Sequence, residues 1–303
     1  MTCLGNININ NDFEMKRKQF CEIAPWAYRL SVVKCIVIRN VIDKLKNINF
    51  ANEKSAEHLP VLIYKHNSLI RRKLGNTDLH LQENKAVNLA LAAPKINGIL
   101  IRPGETFSFW RLVGKDDARH GYKEGLTIAH GIPSRGIGGG LCQFTNLIHW
   151  MVLHSDLTIV EHHHHDGLDL FPDYNRQIPF GTGTSIVYNY LDYRVRNDSH
   201  NTYQLVTYTD GEYLRGELRA MNALPYTYHI HSRDEHFSCE EGVVYRNGIV
   251  ERQIIDRTTG KCLNCDIIRR NHAKVMYDTT HLAIQCSSNA CPHQSRCCTN
   301  AGV

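Results

Sequence analysis

From residue 141 onward the apolar positions are Leu141, Phe144, Leu147, Ile148, Met151 and Val152, the spacing of one helix face. A looser version of the same spacing runs through Trp26, Leu30, Val33, Val37, Val41 and Leu45. It predicts a helical stretch over residues 13–47, broken at Pro25. Ala86, Val87, Leu89, Ala90, Leu91 and Ala93 predict a short buried helix over 83–93, ended by Pro94. Elsewhere the apolar residues alternate or fall in short blocks, which predicts strands at 58–64, 99–101, 157–160, 185–189 and 192–195. Residues 203–209 and 212–219 flank Asp210-Gly211, a strong hairpin signal. Residues 226–230 and 242–255 suggest one more small sheet, and the polar stretches 65–78 and 166–183 read as loops.

The pattern implies an α+β fold, a mixed or antiparallel sheet with a few helices packed around a glycine-rich loop and the helix it leads into. Four segments follow: a helical N-terminal region (1–54), a principal domain (55–220), a small β extension (221–270) and a cysteine-rich tail (271–303), expected to be poorly ordered. The 303-residue chain is 42% hydrophobic, enough to bury a core. Its net charge of +5, from 35 basic and 30 acidic side chains, is too mild to indicate nucleic acid.

The 11 cysteines are an odd number and do not read as a secreted disulfide scaffold in a chain this long. The first residues lack the charged start and apolar core of a signal peptide. The run Leu30–Ile42 is interrupted by Lys34 and Arg39 and is too short to span a bilayer. These features place the chain in the cytoplasm with reduced thiols. Packing on the main domain is the ordinary reading of the N-terminal stripe. Peripheral attachment of that basic helix to a membrane surface is the alternative.

The chemistry concentrates at Gly138-Gly139-Gly140-Leu141-Cys142-Gln143. A cysteine in the first turn of a helix faces unpaired backbone N–H groups and the positive end of the helix dipole. That setting is expected to lower the thiol pKa and to offer oxyanion donors around Gly138, Gly139, Gly140 and Gln143. The plain reading is a small buried hydrophobe at a helix start. A nucleophile also needs a base, and His162–His165 follow a strand about 20 residues on. In extended chain His163 and His165 share one side, His162 and His164 the other. Cys142 with two alternate histidines could instead hold zinc; otherwise no cofactor is implied. His149 and His154 read as a polar helix edge. Cys262 and Cys265 have metal-knuckle spacing without a matching second pair. Glu105, Asp116 and Asp192 read as solvated carboxylates more readily than as acids or bases.

These residues resemble the VanW family, named for the accessory protein of glycopeptide (vancomycin) resistance clusters. The resemblance rests on Glu83-Asn84-Lys85 with Asn88–Ala93, on Asn97-Gly98 and Ile101–Trp110, on Gly138–Gln143, and on 157–161 leading into the histidines. It covers roughly residues 55–220. It implies a domain similar to cysteine-dependent L,D-transpeptidases, acting on peptidoglycan stems or precursor peptides. Cys142 would be the nucleophile, His163 and His165 the matching histidines, and Arg102, Glu105 and Ser108 candidate substrate contacts. The family's arginine position holds His162, and the position of its aspartate falls at Gly183. Three readings follow: a cysteine acyltransferase, a non-catalytic accessory or binding protein of the resistance system, and a Cys/His zinc protein.

Overall fold

The computed structural model describes residues 24–72, 78–129, 132–164, 167–172 and 178–286. The chain divides into two compact units, residues 1–47 and 48–303. In the first, helix α1 (Pro25–Leu45) opens on a proline, whose missing N–H would have no helical partner there. The part of the expected helix before Pro25 lies outside the described residues. Among the described residues, no helix is long and apolar enough to cross a membrane.

The second unit contains β1 (Val61–Leu69), α2 (Leu79–Ile96), β2 (Ile99–Ile101), β3 (Thr106–Ser108), α3 (Phe109–Val113), β4 (Glu124–Ala129), β5 (Ile132–Ile137) and α4 (Cys142–Val152). It continues with β6 (Thr158–Glu161), β7 (Leu168–Asp169), β8 (Arg194–Arg196), β9 (Tyr203–Thr209) and β10 (Tyr213–Ala220). Three long strands follow, β11 (Tyr226–Glu240), β12 (Val243–Asp256) and β13 (Cys262–Val275), and then β14 (Ile284–Cys286). The architecture is α+β.

The central sheet has the order β1-β10-β9-β2, with every pairing antiparallel. Strand β10 buries alternate residues, Leu214, Gly216, Leu218 and Ala220. Helix α4 lies so close to it that a Cβ at Gly216 would meet the Met151 methyl at 2.7 Å. From α2, Leu89, Ala92, Ala93 and Ile96 join the same core as Phe144, Leu147, Ile148 and Met151 of α4. A small sheet, β3-β8-β6, stands beside it, and the β4–β5 hairpin leads into the glycine loop. The C-terminal sheet has the order β14-β11-β12-β13-β7. Strand β7 belongs to the chain segment just after the histidine run, and it pairs in parallel with the end of β13.

Four expectations are corrected. Strand β1 runs to Leu69 rather than ending at residue 64, because Lys65–Leu69 pair with Glu217–Tyr213 of β10, and an edge strand tolerates polar residues. Helix α2 passes through Pro94 and stops at Ile96. So near the helix end the proline removes a single ladder bond, and Lys54 Nζ donates to its carbonyl at 3.1 Å. Residues 185–189 form no strand and make only the isolated bridge Val187–Leu191. Strand β11 runs to Glu240 rather than ending at residue 230, β12 falls within one residue of the expected 242–255, β13 was not expected, and pairing continues to residue 286, into the expected tail.

Candidate functional site

Cys142 opens α4, as the spacing predicted, and its thiol is half-buried on the floor of a cleft of about 310 Å3. That volume lies at the small end of ligand pockets, which span roughly 300–1,000 Å3. The loop before Cys142 is held by contacts that only bare backbone allows. Gly139 crosses Gly125 of β4, and a Cβ on either would overlap the other's main chain at 2.5 Å or less. Asn88 of α2 fixes the crossing: its Nδ2 donates to Gly139 O (2.9 Å) and Lys123 O (3.0 Å), while its Oδ1 accepts from Lys123 N–H (2.7 Å). Downstream, Gln143 Nε2 donates to Ser68 Oγ and Leu69 O, each at 2.8 Å. Thr184 N–H donates to Asn146 Oδ1 at 2.6 Å, which ties the chain after the histidines to α4.

The expectation of a lowered thiol pKa is overturned. Burial pushes the Cys142 thiol up, outweighing the Ile186 and Cys142 backbone N–H groups that point at the sulfur. The thiol therefore rests protonated at neutral pH. The loop's amides are also partly spent. Gly138 N–H donates to Lys123 O, Gly139 N–H to Gly136 O and Gln143 N–H to Gly140 O. Among the described residues, only the Gly140 and Cys142 amides of the Gly138–Gln143 run carry no backbone hydrogen bond.

His162, His163 and His164 are not brought to the sulfur. His162 Nε2 meets Gly183 O at 3.2 Å, and its ring lies tilted between those of His149 (centroids 4.1 Å) and His164 (4.0 Å). Burial pushes its pKa down to about 3. His163 turns the other way, as strand alternation requires, and meets Glu161 at 2.9 Å. None of the three lines the cleft; His165 lies outside the described residues. His149 is not an edge residue: it is fully buried, with Nδ1 at 3.1 Å from the Tyr193 hydroxyl.

The other sequence candidates belong to the scaffold. Arg102 pairs with Glu53 at 2.5 Å, and its N–H donates to Glu105. Ser108 Oγ donates to Asp192 Oδ2, which also accepts from Arg194 Nε at 2.9 Å. Asp192 and Glu105 are buried, not solvated. Asp116 sits behind Gly138, and burial pushes its carboxyl up to about 6. Cys262 and Cys265 are exposed on β13, and among the described residues no three metal-binding side chains converge.

The cleft instead gathers residues that the sequence did not single out for chemistry: His66 of β1, Arg72 just beyond it, Lys85 of α2, and Asn146 and Thr184. Lys85 is only 6% exposed, on the face that also buries Leu81, Asn88, Leu89 and Ala92. A lysine on a buried helix face was the available signal. Its stem covers Gly140, where a Cβ would fall 2.3 Å from Lys85 Cγ. Burial, with Arg72 and Arg71 nearby, pushes its ammonium pKa down to about 7. The facing wall, 168–171 with Ile178 and Phe180, is apolar except for Asp169, which is engaged by Tyr277 Oη (2.8 Å) and Arg246 (3.6 Å).

No solved structure matches the chain. The family profile described as VanW like protein matches residues 84–219. The chain is 36% identical over 228 residues to the Vancomycin B-type resistance protein VanW of Enterococcus faecalis, covering 75% of this chain and 82% of that one. It is 30% identical over 118 residues to the Uncharacterized protein YoaR of Bacillus subtilis, covering 38% of this chain and 36% of that one. The residues that build the glycine loop, its asparagine anchor and the cysteine floor of the cleft all fall inside the matched region, and the chain belongs to the VanW-like family.

Proposed function

We propose that this chain is a cysteine acyltransferase of the L,D-transpeptidase kind, acting on peptidoglycan-type stem peptides or their precursors in the setting of vancomycin resistance. The observation that carries the reading is the Cys142 thiol lining a cleft of about 310 Å3, at a helix start where the Gly140 and Cys142 amides carry no backbone hydrogen bond. Sγ attacks a peptide carbonyl, the Gly140 and Cys142 N–H groups receive the oxyanion, and the amine leaves. A second amine, or water, then takes the acyl group from sulfur. The Arg72 guanidinium on the polar side of the cleft suits a donor that carries a carboxylate, and the apolar wall suits short aliphatic side chains.

The test is intact-mass spectrometry of the full chain after incubation with soluble muropeptides. The wild type gains an acyl adduct that maps to Cys142, and Cys142→Ala gains none. The raised thiol favours one other reading, a binding protein that holds the same peptides without capturing them. Saturable binding without an adduct in the wild type would establish that reading instead.

A further inference from the structure

A buried thiol that rests protonated attacks only if a base takes its proton as the new bond forms. His162, His163 and His164 do not line the cleft, and His163 is committed to Glu161. Of the titratable groups that do line it, Asp169 is held by Tyr277 and Arg246, and Arg72 keeps its charge at any working pH. His66 remains on β1, and burial with Arg72 lowers its pKa. Lys85 differs from all of these. It is 6% exposed and has no hydrogen-bond or ion-pair partner among the described residues. Its stem lies across Gly140, two positions before the cysteine, and both side chains line the one cleft.

We infer that Lys85 is the base that takes the proton from Cys142 and returns it to the leaving amine. The inference rests on the cysteine-acyltransferase reading and names the partner that reading lacks. As the S–C bond forms, the thiol proton passes to the neutral Nζ. As the C–N bond breaks, the resulting ammonium protonates the departing amine, and Lys85 is neutral again. In the second half the incoming amine or water gives its proton to Nζ as it attacks the thioester, and Cys142 leaves as thiolate and recovers that proton. The surroundings are consistent with this role. Arg71 and Arg72 act on Lys85 with positive charge, no carboxylate pairs with it, and burial opposes its charged form.

The test uses the full chain with p-nitrophenyl acetate as acyl donor and iodoacetamide as a simple alkylating reagent. Peptide mapping reads Cys142 apart from the other cysteines. In the wild type, acylation of Cys142 rises with pH through a midpoint near 7, the value to which the Lys85 site is tuned. Lys85→Met lowers acylation at neutral pH by about 100-fold or more and moves the rise upward to the thiol's own titration. Lys85→Arg keeps the positive charge without a base. It alkylates at lower pH than the methionine variant, yet remains as slow toward the ester.

A Lys85→Met protein with the wild-type rate and pH profile would overturn the inference while leaving the cysteine reading intact. Acylation that survives in Cys142→Ala would remove the reading beneath it. Should the methionine variant not fold, the 13Cε resonance of Lys85 in the wild type decides, assigned by its loss in Lys85→Arg. A midpoint in the ordinary lysine range, near 10.4, would overturn the inference.

Discussion

The methylene stem of Lys85 occupies the volume that a side chain at residue 140 would need, with Cγ 2.3 Å from where that Cβ would stand. Residue 140 also has φ +93°, outside the range a side-chain-bearing residue adopts readily. Gly140→Ala is therefore expected to lose about 1–3 kcal/mol of stability, read by urea unfolding. In the protein that remains folded, Cys142 acylation should fall together with the displaced lysine. A variant with normal stability and normal acylation would show that the loop tolerates a different path.

Asn88 is fully buried and makes three hydrogen bonds that tie α2 to the loop. Asn88→Ala strands Lys123 N–H and the Gly139 carbonyl away from water, and a loss of about 2–3 kcal/mol is expected on urea unfolding. Amide exchange across 138–141 should quicken more than across α4.

His163 was, with His165, one of the two bases expected from sequence, and its place beside Glu161 predicts a different outcome from Lys85. His163→Ala should leave Cys142 acylation within about twofold of wild type and change stability by less than about 1 kcal/mol, since its contact with Glu161 is partly exposed. A loss as large as that of Lys85→Met would restore the histidine to the mechanism.

The cluster His149–His162–His164 makes stability depend on pH with a definite sign. Burial holds His149 and His162 below their unfolded value near 6.5, with His162 at about 3. The neighbouring His163, His164 and Arg269 push His162 the same way. Their contribution is present above pH 6.5 and is lost as pH falls toward 3, because the unfolded chain binds the protons the folded one refuses. Each pH unit in that window should cost up to about 1.4 kcal/mol per group. Urea midpoints at pH 7.5 and 4.5 read the drop, and His162→Phe should shrink it.

The C-terminal sheet holds the cleft wall in place. Lys274 N–H donates to Gly167 O at 2.8 Å, Met276 N–H to Asp169 O at 2.9 Å, and Asn271 Nδ2 to Phe180 O at 2.8 Å. Lys274→Pro removes the first of these. Exchange at 167–171 should rise by an order of magnitude or so, while α4 keeps its protection. Unchanged exchange at 167–171 would mean that the wall stands without β13.

What could be read from sequence followed period and local chemistry. The face Leu141–Phe144–Leu147–Ile148–Met151 named α4, and Asp210-Gly211 named the β9–β10 hairpin. What could not be read depended on partners far along the chain. Residues 65–69 look like a loop until Tyr213–Glu217 pair with them. Strands β11 and β13 face solvent at many positions, so their apolar signal is thin, whereas β12, with its alternating buried residues, was legible at 242–255. Cys142 was placed correctly, but its ionisation was misjudged, because helix position shows the dipole and not the burial. Lys85 was visible as part of the family motif. Its burial in the cleft was not, since a lysine at helical spacing carries no mark of which way it faces until the cleft is formed.

The wall of the cleft is strung between residues near 168 and a strand that ends at 275, so more than a hundred residues separate two sides of one joint. During synthesis the ribosome releases the cysteine helix long before the strand that fastens the opposite bank. Until β13 emerges, a nascent chain carries its sulfur without the enclosure around it. The Cys142 thiol thus comes under shelter only once the chain has been made as far as residue 275.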